Sequence, residues 1–292
     1  NEITDLNYFS SILFKLTLDY NKMKNNITIP ETIRQFSCES NDISSLTLNN
    51  QTHISASYNK LTSINGIIDN LSCININNNE FKDLNFTTNI NLKCLLCSNN
   101  KLTFFPDLTN SIKYLTSLDI SSNQIKGSLD ISMFNKLKNF NCTANMITDL
   151  KLPKHVCSII VSGNPLKRLN VVSPSLTLLY ASACKLEEII INSNVKLYVY
   201  IHNNPLKKIT NYNKKCTIFH ISNINCIISP YKHSKYIYSD NVTKLNNGVN
   251  YAKYIVQNSA AFCIQKFVRN NKDKYECHND ESESDMELII EL

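Results

Sequence analysis

The chain has 292 residues, of which 42% are hydrophobic, and a formal net charge of +6. This length suits one or two globular domains, or a single array of many small layers. No apolar run approaches the roughly 20 residues of a membrane-spanning helix, so no membrane insertion is expected. Among the 11 cysteines, Cys94 and Cys97 have the spacing of a metal-binding pair. Because no second pair follows at zinc-finger spacing, neither a metal site nor a cofactor is predicted.

Charge is divided unevenly along the chain. Residues 1–240 include 24 basic and 16 acidic residues, and residues 241–292 include 6 and 8, so the body carries about +8 and the tail about −2. A basic body can attract nucleic acid or an anionic membrane surface. The Lys and Arg residues are dispersed, however, without an arginine-rich run or interleaved aromatic residues. This pattern favours a solvated surface over a nucleic-acid site.

One frame recurs about every 20 residues: apolar, two residues, apolar, one residue, apolar, two residues, asparagine, one residue, apolar. Clear copies are LSCININNNEF from Leu71 and LTSLDISSNQI from Leu115. Alternating apolar residues specify one short strand per copy, and stacked copies predict a parallel sheet. The marker residues are Asn21, Asn41, Asn59, Asn79, Asn100, Asn123, Asn145, Asn164, Cys184 and Asn204.

The frame resembles the leucine-rich repeat family over residues 1–229, and its short repeats are similar to those of bacterial effectors and large DNA viruses. The resemblance implies an α/β-type repeat solenoid dominated by β structure, with a curved parallel sheet. About nine residues separate the turn of one copy from the next strand, too few for a three-turn helix. We therefore expect short extended or turn-like returns on the convex side. Gln51 and Lys196 depart from the pattern at positions that are usually apolar.

The marker residue lies where the chain leaves the strand and turns. An asparagine amide there can satisfy backbone groups that no sheet hydrogen bond reaches. Cys38, Cys97 and Cys142 occupy the third apolar position of their copies, where cysteine acts as a small core residue. Each belongs to a different layer, so these thiols cannot pair with one another. With the odd cysteine count, this predicts a reducing, intracellular and cytoplasmic setting, or the host cytoplasm for a viral protein.

Both ends of the chain depart from the repeat. Residues 1–6 match the second half of a copy, so we expect that earlier repeats are missing. After residue 229 the frame is lost, and apolar residues of helical period between Val249 and Phe267 predict a helical cap within a segment 230–276. The acidic residues of segment 277–292 predict a flexible tail.

The predicted helix also has a second interpretation. Its segment IQKFVRNNKDKY resembles an IQ motif through Ile264, Gln265, Arg269 and Lys274. The resemblance implies that a calmodulin-like protein binds this helix. The cap and the calmodulin-like partner are alternatives for the same residues.

Residues that alternate with the inward positions lie on the concave face of the predicted sheet and form the candidate binding surface. In the first seven copies they are small or polar, as at Ser37, Ser55 and Asn75. Aromatic residues are enriched at interface hot spots, so their later appearance predicts a partner-binding patch. The alternative is that aromatic side chains stack across strands to stabilise the sheet. The predicted patch consists of Ile160, Leu178, Tyr180, Tyr198, Tyr200, His202, Ile218 and His220.

The sequence contains neither a set of nucleophile, base and orienting residue nor a phosphate-binding glycine loop, so no enzymatic activity is expected. The first hypothesis is a protein–protein interaction module. A second is the substrate-recognition part of a larger enzyme, such as a ubiquitin ligase, whose catalytic domain lies outside this chain. A third is a basic surface that binds nucleic acid or membrane.

Overall fold

A computed structural model describes residues 13–213 with their side chains, and the backbone of residues 217–221, 227–229, 235–238 and 288–289. The chain divides into two compact units. Unit 1 comprises Asn1–Ile125 and Asp280–Leu292, and unit 2 comprises Lys126–Asn279. Each unit has a main sheet of parallel strands, one per repeat, and further parallel strands on the return side of the repeats.

Unit 1 has a main sheet of short strands and a smaller return sheet. The return strands are β2 (Lys24–Thr28), β4 (Asp42–Asn49) and β6 (Ser63–Ile67), and a 3-10 turn follows at Thr109–Ser111. The main-sheet strands, in the order in which neighbours pair, are β9 (Ser117–Asp119), β8 (Cys94–Leu96), β7 (Cys73–Asn75), β5 (His53–Ser55), β3 (Gln35–Ser37), β1 (Lys15–Thr17) and β22 (Leu288–Ile289).

Unit 2 repeats this arrangement. Its main-sheet strands are β11 (Asn139–Asn141), β13 (Ser158–Ile160), β15 (Leu178–Tyr180), β17 (Leu197–Tyr200), β19 (Thr217–Ile221) and β21 (Lys235–Tyr238). Its return strands are β10 (Lys126–Asp130) with β12 (Met146–Lys151), and β14 (Arg168–Val172), β16 (Glu188–Asn192), β18 (Lys208–Asn211) and β20 (Ile227–Ser229).

The core of each unit consists of the inward residues of the main strands. In unit 1 the register aligns the first inward position of successive copies, for example Phe36 with Ile54 and Ile54 with Ile74. Small side chains such as Cys38, Ala56 and Cys142 share the second inward position with Leu and Ile, and all are buried. The alternation read from the sequence is thus confirmed, since side chains of successive strand residues point to opposite faces.

The return segments agree with the expectation of extended chain. Nine return strands lie within the described part of the chain, and the 3-10 turn at Thr109–Ser111 is the one helical turn found there. The main sheet of unit 2 continues past residue 229, because β21 pairs in parallel with β19. The predicted cap helix at residues 249–267 lies outside the described residues. Within the predicted acidic tail, Leu288 and Ile289 form β22 beside β1.

The asparagine column forms a hydrogen-bonded ladder in each unit. Asn100 is representative: its Nδ2 donates to the carbonyl oxygens of Ile76 (3.0 Å), Cys97 (3.1 Å) and Ser98 (3.2 Å). Its Oδ1 accepts the backbone N–H of Phe81 at 3.1 Å. The same set of bonds recurs at Asn41, Asn59, Asn79, Asn123, Asn164 and Asn204.

Cys184 occupies the ladder position in one copy of unit 2. Its thiol lies 3.5 Å from the carbonyl oxygen of Val161 and 3.6 Å from that of Ser182, where an asparagine Nδ2 would donate. A thiol cannot reproduce the accepting amide oxygen. The backbone N–H of Leu166, which would meet that oxygen, instead donates to the carbonyl oxygen of Asn164 in its own turn.

The residue before each ladder position has a left-handed backbone. The φ angle is 57° at Tyr20, 56° at Tyr58 and 53° at Ala144. This conformation costs an ordinary L residue roughly 1–2 kcal/mol. In return, the backbone N–H of such a residue can reach a carbonyl oxygen of the following repeat, as from Tyr58 to Asn77 at 3.0 Å and from Ala144 to Ser162 at 2.8 Å. The other members of this column are Ser40, Asn78, Asn99, Ser122, Gly163, Ala183 and Asn203.

A second set of buried polar residues closes the opposite corner of the repeats, before the main strand. Gln51, which the repeat pattern marked as a departure, donates from Nε2 to the carbonyl oxygens of Pro30 (3.1 Å) and Ile33 (2.9 Å). In unit 2, Ser173 and Ser193 donate to the carbonyl oxygens of Val156 and Leu176. The polar side chain at residue 51 is therefore a structural member of the fold.

Replacing Asn100 with alanine should destabilise unit 1 by about 1–3 kcal/mol, because three carbonyl groups and one N–H lose a buried partner. Thermal unfolding followed by circular dichroism measures the change. The control is Asn65→Ala at an exposed position of β6, which should shift the transition by less than about 0.5 kcal/mol. Equal effects of the two changes would contradict the stabilising role of the asparagine ladder.

Gly66 and Gly127 provide a matched pair on return strands. Both have positive φ, 87° and 85°, but a Cβ at Gly66 would lie 2.1 Å from the carbonyl oxygen of Leu48, whereas one at Gly127 would meet nothing within 4 Å. Gly66→Ala should therefore destabilise the protein by about 1–3 kcal/mol more than Gly127→Ala, because the backbone of β4 must shift. Denaturant unfolding of both variants tests this difference, and indistinguishable midpoints would refute it.

Cys184→Asn should complete the ladder of unit 2. The new amide oxygen can accept the N–H of Leu166, which in the unmodified chain donates only to the carbonyl oxygen of Asn164 in its own turn, so we expect a stabilisation of about 0.5–1.5 kcal/mol. Differential scanning calorimetry of this variant beside Cys184→Ala separates the gained hydrogen bonds from the lost thiol. A melting temperature of Cys184→Asn at or below that of the unmodified chain would contradict the claim that Cys184 leaves a destabilising gap in the ladder.

Candidate partner-binding face

The face of the main sheet that points away from the core is called the open face. It displays the residues that alternate with the inward positions, and the parallel register aligns them in rows across the strands. One row of unit 2 contains Asn141, Ile160, Tyr180 and Tyr200. A neighbouring row contains Leu178 and Tyr198. Five of the predicted patch residues, Ile160, Leu178, Tyr180, Tyr198 and Tyr200, therefore lie in two adjacent rows.

On the open face of unit 1, polar residues hydrogen-bond one another. The carboxylate of Asp19 accepts the hydroxyl of Ser37 at 2.7 Å and the backbone N–H of Glu39 at 2.7 Å. Glu39 in turn accepts a hydrogen bond from the hydroxyl of Ser55 and a longer one, 3.5 Å, from Asn75. These polar groups already have partners within the sheet, and they offer little apolar area to another protein.

Unit 2 presents an aromatic surface, called here the tyrosine patch and formed by Tyr180, Tyr198 and Tyr200. The rings of Tyr180 and Tyr200 stack with their centroids 4.3 Å apart and their planes 5° apart. Tyr198 is 36% exposed, and Nζ of Lys196 lies 5.1 Å from the centroid of its ring. Such a cation over an aromatic face is attractive. The tyrosine patch thus combines a rigid stacked pair with an exposed aromatic residue.

The remaining predicted patch residues differ in their accessibility. Ile160 is 4% exposed, so it supports the sheet more than it offers contact area, and Leu178 is half-buried. His202 lies beside the tyrosine patch, with Nδ1 3.1 Å from the hydroxyl of Ser182. Burial lowers the pKa of His202, which favours its neutral form.

Two predicted residues fall on β19. The backbone register places Ile218 beside Tyr198 and His220 beside Tyr200, whereas their side chains lie outside the described residues. The IQ-like residues Ile264, Gln265, Arg269 and Lys274 also lie outside them. Binding of a calmodulin-like protein therefore stays a prediction.

Asn141 lies in the same row as Tyr180, two strands away from it, and is fully buried. Its Oδ1 accepts the backbone N–H of Thr143 at 3.0 Å, whereas its Nδ2 has no hydrogen-bond partner in the described part of the chain. A donor that is buried without a partner is destabilising by about 1–3 kcal/mol. No periodic signal in the sequence distinguishes this position from the other polar residues of the face.

Cys94 and Cys97, which have the sequence spacing of a metal-binding pair, point to opposite faces. Cys94 lies on the open face, whereas Cys97 points into the core, so the two thiols do not share a site. The seven described cysteines are free thiols, and no group of three potential metal ligands occurs among the described residues. In the same part of the chain, no helix is long and apolar enough to cross a membrane. The predicted reducing compartment stays a prediction.

Several lysines form ion pairs with carboxylates of a neighbouring repeat. Two of the pairs, Lys60 with Asp42 (2.6 Å) and Lys101 with Glu80 (2.8 Å), involve residues directly after a ladder asparagine. In unit 2, Lys151 pairs with Asp130 (3.0 Å) and Lys207 with Glu187 (2.6 Å). All four pairs are exposed and add little stability. Each pair does, however, place a carboxylate beside a lysine, which weakens the attraction of that lysine for a phosphate group.

No protein-family model matches the chain, and no curated protein is significantly similar to it. Solved structures do share its fold. The leucine-rich repeat domain of APL1B has a TM-score of 0.60 and 16% identity, covering 80% of this chain and 77% of that domain. YopM from Yersinia enterocolitica has a TM-score of 0.50 and 19% identity, covering 80% of this chain and 65% of YopM.

These similarities define a class of fold. The chain has the parallel-strand solenoid fold of leucine-rich repeat proteins, in agreement with the resemblance of its repeats. It spans slightly less than two thirds of the length of YopM. Identities below one fifth show the fold alone, because many functions use one fold.

Proposed function

We propose that this protein is a protein-binding module whose partner contacts the tyrosine patch on the open face of unit 2. The observation that carries the proposal is the stacked pair of Tyr180 and Tyr200, with Tyr198 exposed beside it on the neighbouring row. Tyrosine buries a large area on binding, loses little rotamer entropy and keeps a hydroxyl that can hydrogen-bond. A leucine-rich repeat solenoid supplies the rigid backbone for such a surface.

The contrast between the open faces of the two units supports this location. In unit 1, Asp19 and Glu39 bind hydroxyl groups of neighbouring strands, and a partner that covered this face would have to remove water from two charged carboxylates, which is costly. In unit 2, the stack is already ordered in the free protein. Binding there loses less side-chain entropy, because the two rings already restrain each other.

Two observations count against the nucleic-acid alternative. The open face of unit 1 carries the carboxylates of Asp19 and Glu39, which repel phosphate. Lys60 and Lys101 on the edge of the repeats are paired with acidic residues. No described residue specifically favours an enzymatic role, so the ligase hypothesis depends on a catalytic domain outside this chain.

The test compares Tyr198→Ala/Tyr200→Ala with the control Tyr20→Ala/Tyr58→Ala, which removes two exposed tyrosines outside the tyrosine patch. A photo-crosslinking amino acid at position 198 first captures the partner from cells that express the chain, and the purified partner is then titrated against each variant. We expect the Tyr198/Tyr200 variant to bind at least about 30-fold more weakly, since one hot-spot residue contributes roughly 2 kcal/mol or more.

The control variant should bind within about threefold of the unmodified chain, and circular dichroism should show that both variants are folded. Equal dissociation constants for the two variants would remove the tyrosine patch from the binding surface. Affinity that falls steeply between low and high salt, with capture of nucleic acid rather than protein, would favour the basic-surface hypothesis instead.

A further inference from the structure

Two cysteine side chains meet on the open face of unit 1. Cys73 in β7 and Cys94 in β8 are register partners on adjacent parallel strands, and both are half-buried free thiols. Neighbouring strands lie about 4.8 Å apart. A disulfide requires Cα atoms roughly 4.4–6.8 Å apart, and the strand spacing falls within that range. The backbone of unit 1 therefore holds these two thiols at a separation that a disulfide can bridge.

The two thiols also interact directly. They form a side-chain hydrogen bond, which lowers the pKa of Cys73 and, together with burial, raises the pKa of Cys94. Of the two thiols, Cys73 is therefore the one that loses its proton first. The flanking positions of the same row are His53 on β5 and Ser117 on β9. Burial and the charge of Lys93 lower the pKa of His53, so the neighbour of Cys73 is a neutral imidazole near pH 7.

The other described cysteines lack such a neighbour. Cys38, Cys97 and Cys142 point into the core and belong to different repeats. Cys157 is half-buried, and its thiol interacts with the carbonyl oxygen of His155 at 3.9 Å. Cys184 lies in the ladder. Among the cysteines that the structure describes with side chains, the Cys73–Cys94 pair is therefore the one arranged for thiol–disulfide exchange.

We propose that Cys73 and Cys94 form a dithiol–disulfide couple that reacts with small-molecule disulfides of the glutathione type. The Cys73 thiolate attacks one sulfur of the small disulfide and releases one thiolate, forming a mixed disulfide on Cys73. Cys94 then loses its proton and attacks Sγ of Cys73, which releases the second small thiolate. The two protein thiols are oxidised to one disulfide, and the small disulfide is reduced to two thiols, which take up the two protons.

This couple lies in unit 1, whereas the tyrosine patch lies in unit 2, so the two proposals stand or fall separately. In the structure, Cys73 and Cys94 are both reduced thiols. Oxidation would link β7 to β8 across one repeat and would leave the inward thiols unchanged, because those thiols have no accessible surface.

The experiment uses the full chain, equilibrated in buffers with increasing ratios of oxidised to reduced glutathione. Free thiols are blocked with N-ethylmaleimide, the protein is unfolded, and peptides are mapped by mass spectrometry. We expect a peptide linked through Cys73 and Cys94 to appear as the ratio rises, while Cys38, Cys97 and Cys142 are recovered as free thiols. Cys157→Ser is the control, because it removes another half-buried thiol and should leave the Cys73–Cys94 link unchanged.

Single variants separate the two roles. Cys94→Ser should accumulate glutathione on Cys73, since no second thiol resolves the mixed disulfide. Cys73→Ser should leave Cys94 slower to react with glutathione disulfide than Cys73 is in Cys94→Ser, because burial still raises the pKa of the Cys94 thiol. The proposal is overturned if folded protein carries glutathione separately on Cys73 and Cys94 without a linked peptide. It is also overturned if both residues are recovered as free thiols throughout.

Discussion

The structure depends on pairing the backbone groups at the corners of each repeat. A coil of about 20 residues places polar backbone atoms at corners where no adjacent strand can bond them. One asparagine per repeat answers this constraint by donating to carbonyl groups of two repeats and accepting an N–H from one of them, as Asn100 does. The left-handed residue before it directs the chain into the turn and bonds the next repeat. These contacts join successive layers of the repeat in addition to the packing of the apolar core.

Much of this architecture follows from periodicity. The strand positions, the inward residues and the asparagine column were predictable, because each is repeated and the repetition reveals it. The left-handed column was missed, since Tyr58, Ala144 and Gly163 share a backbone conformation without a shared side-chain chemistry. Gln51 looked like a defect because it was compared with apolar residues, whereas its amide bonds carbonyl groups that the strand pattern does not represent.

The candidate site was less predictable than the fold. Alternation correctly placed Tyr180 and Tyr200 in one row, but the stacking of their rings and the burial of Ile160 depend on side-chain packing that alternation does not encode. The Cys73–Cys94 pair shows a related limit. The thiols at inward positions belong to repeats that are not adjacent, so they cannot pair. On the open face, Cys73 and Cys94 lie in adjacent repeats, and the register brings their thiols together.

The strict register of the parallel strands has a consequence for how such a protein can change over generations. Each repeat contributes one residue to every row, so duplication or loss of a whole repeat lengthens or shortens all rows by one position without turning any side chain to the other face. A deletion of a single strand residue would instead exchange inward and outward positions for the rest of that strand. Gain or loss of a whole repeat therefore preserves the inward and outward faces of this chain, and each such event changes a row by one residue.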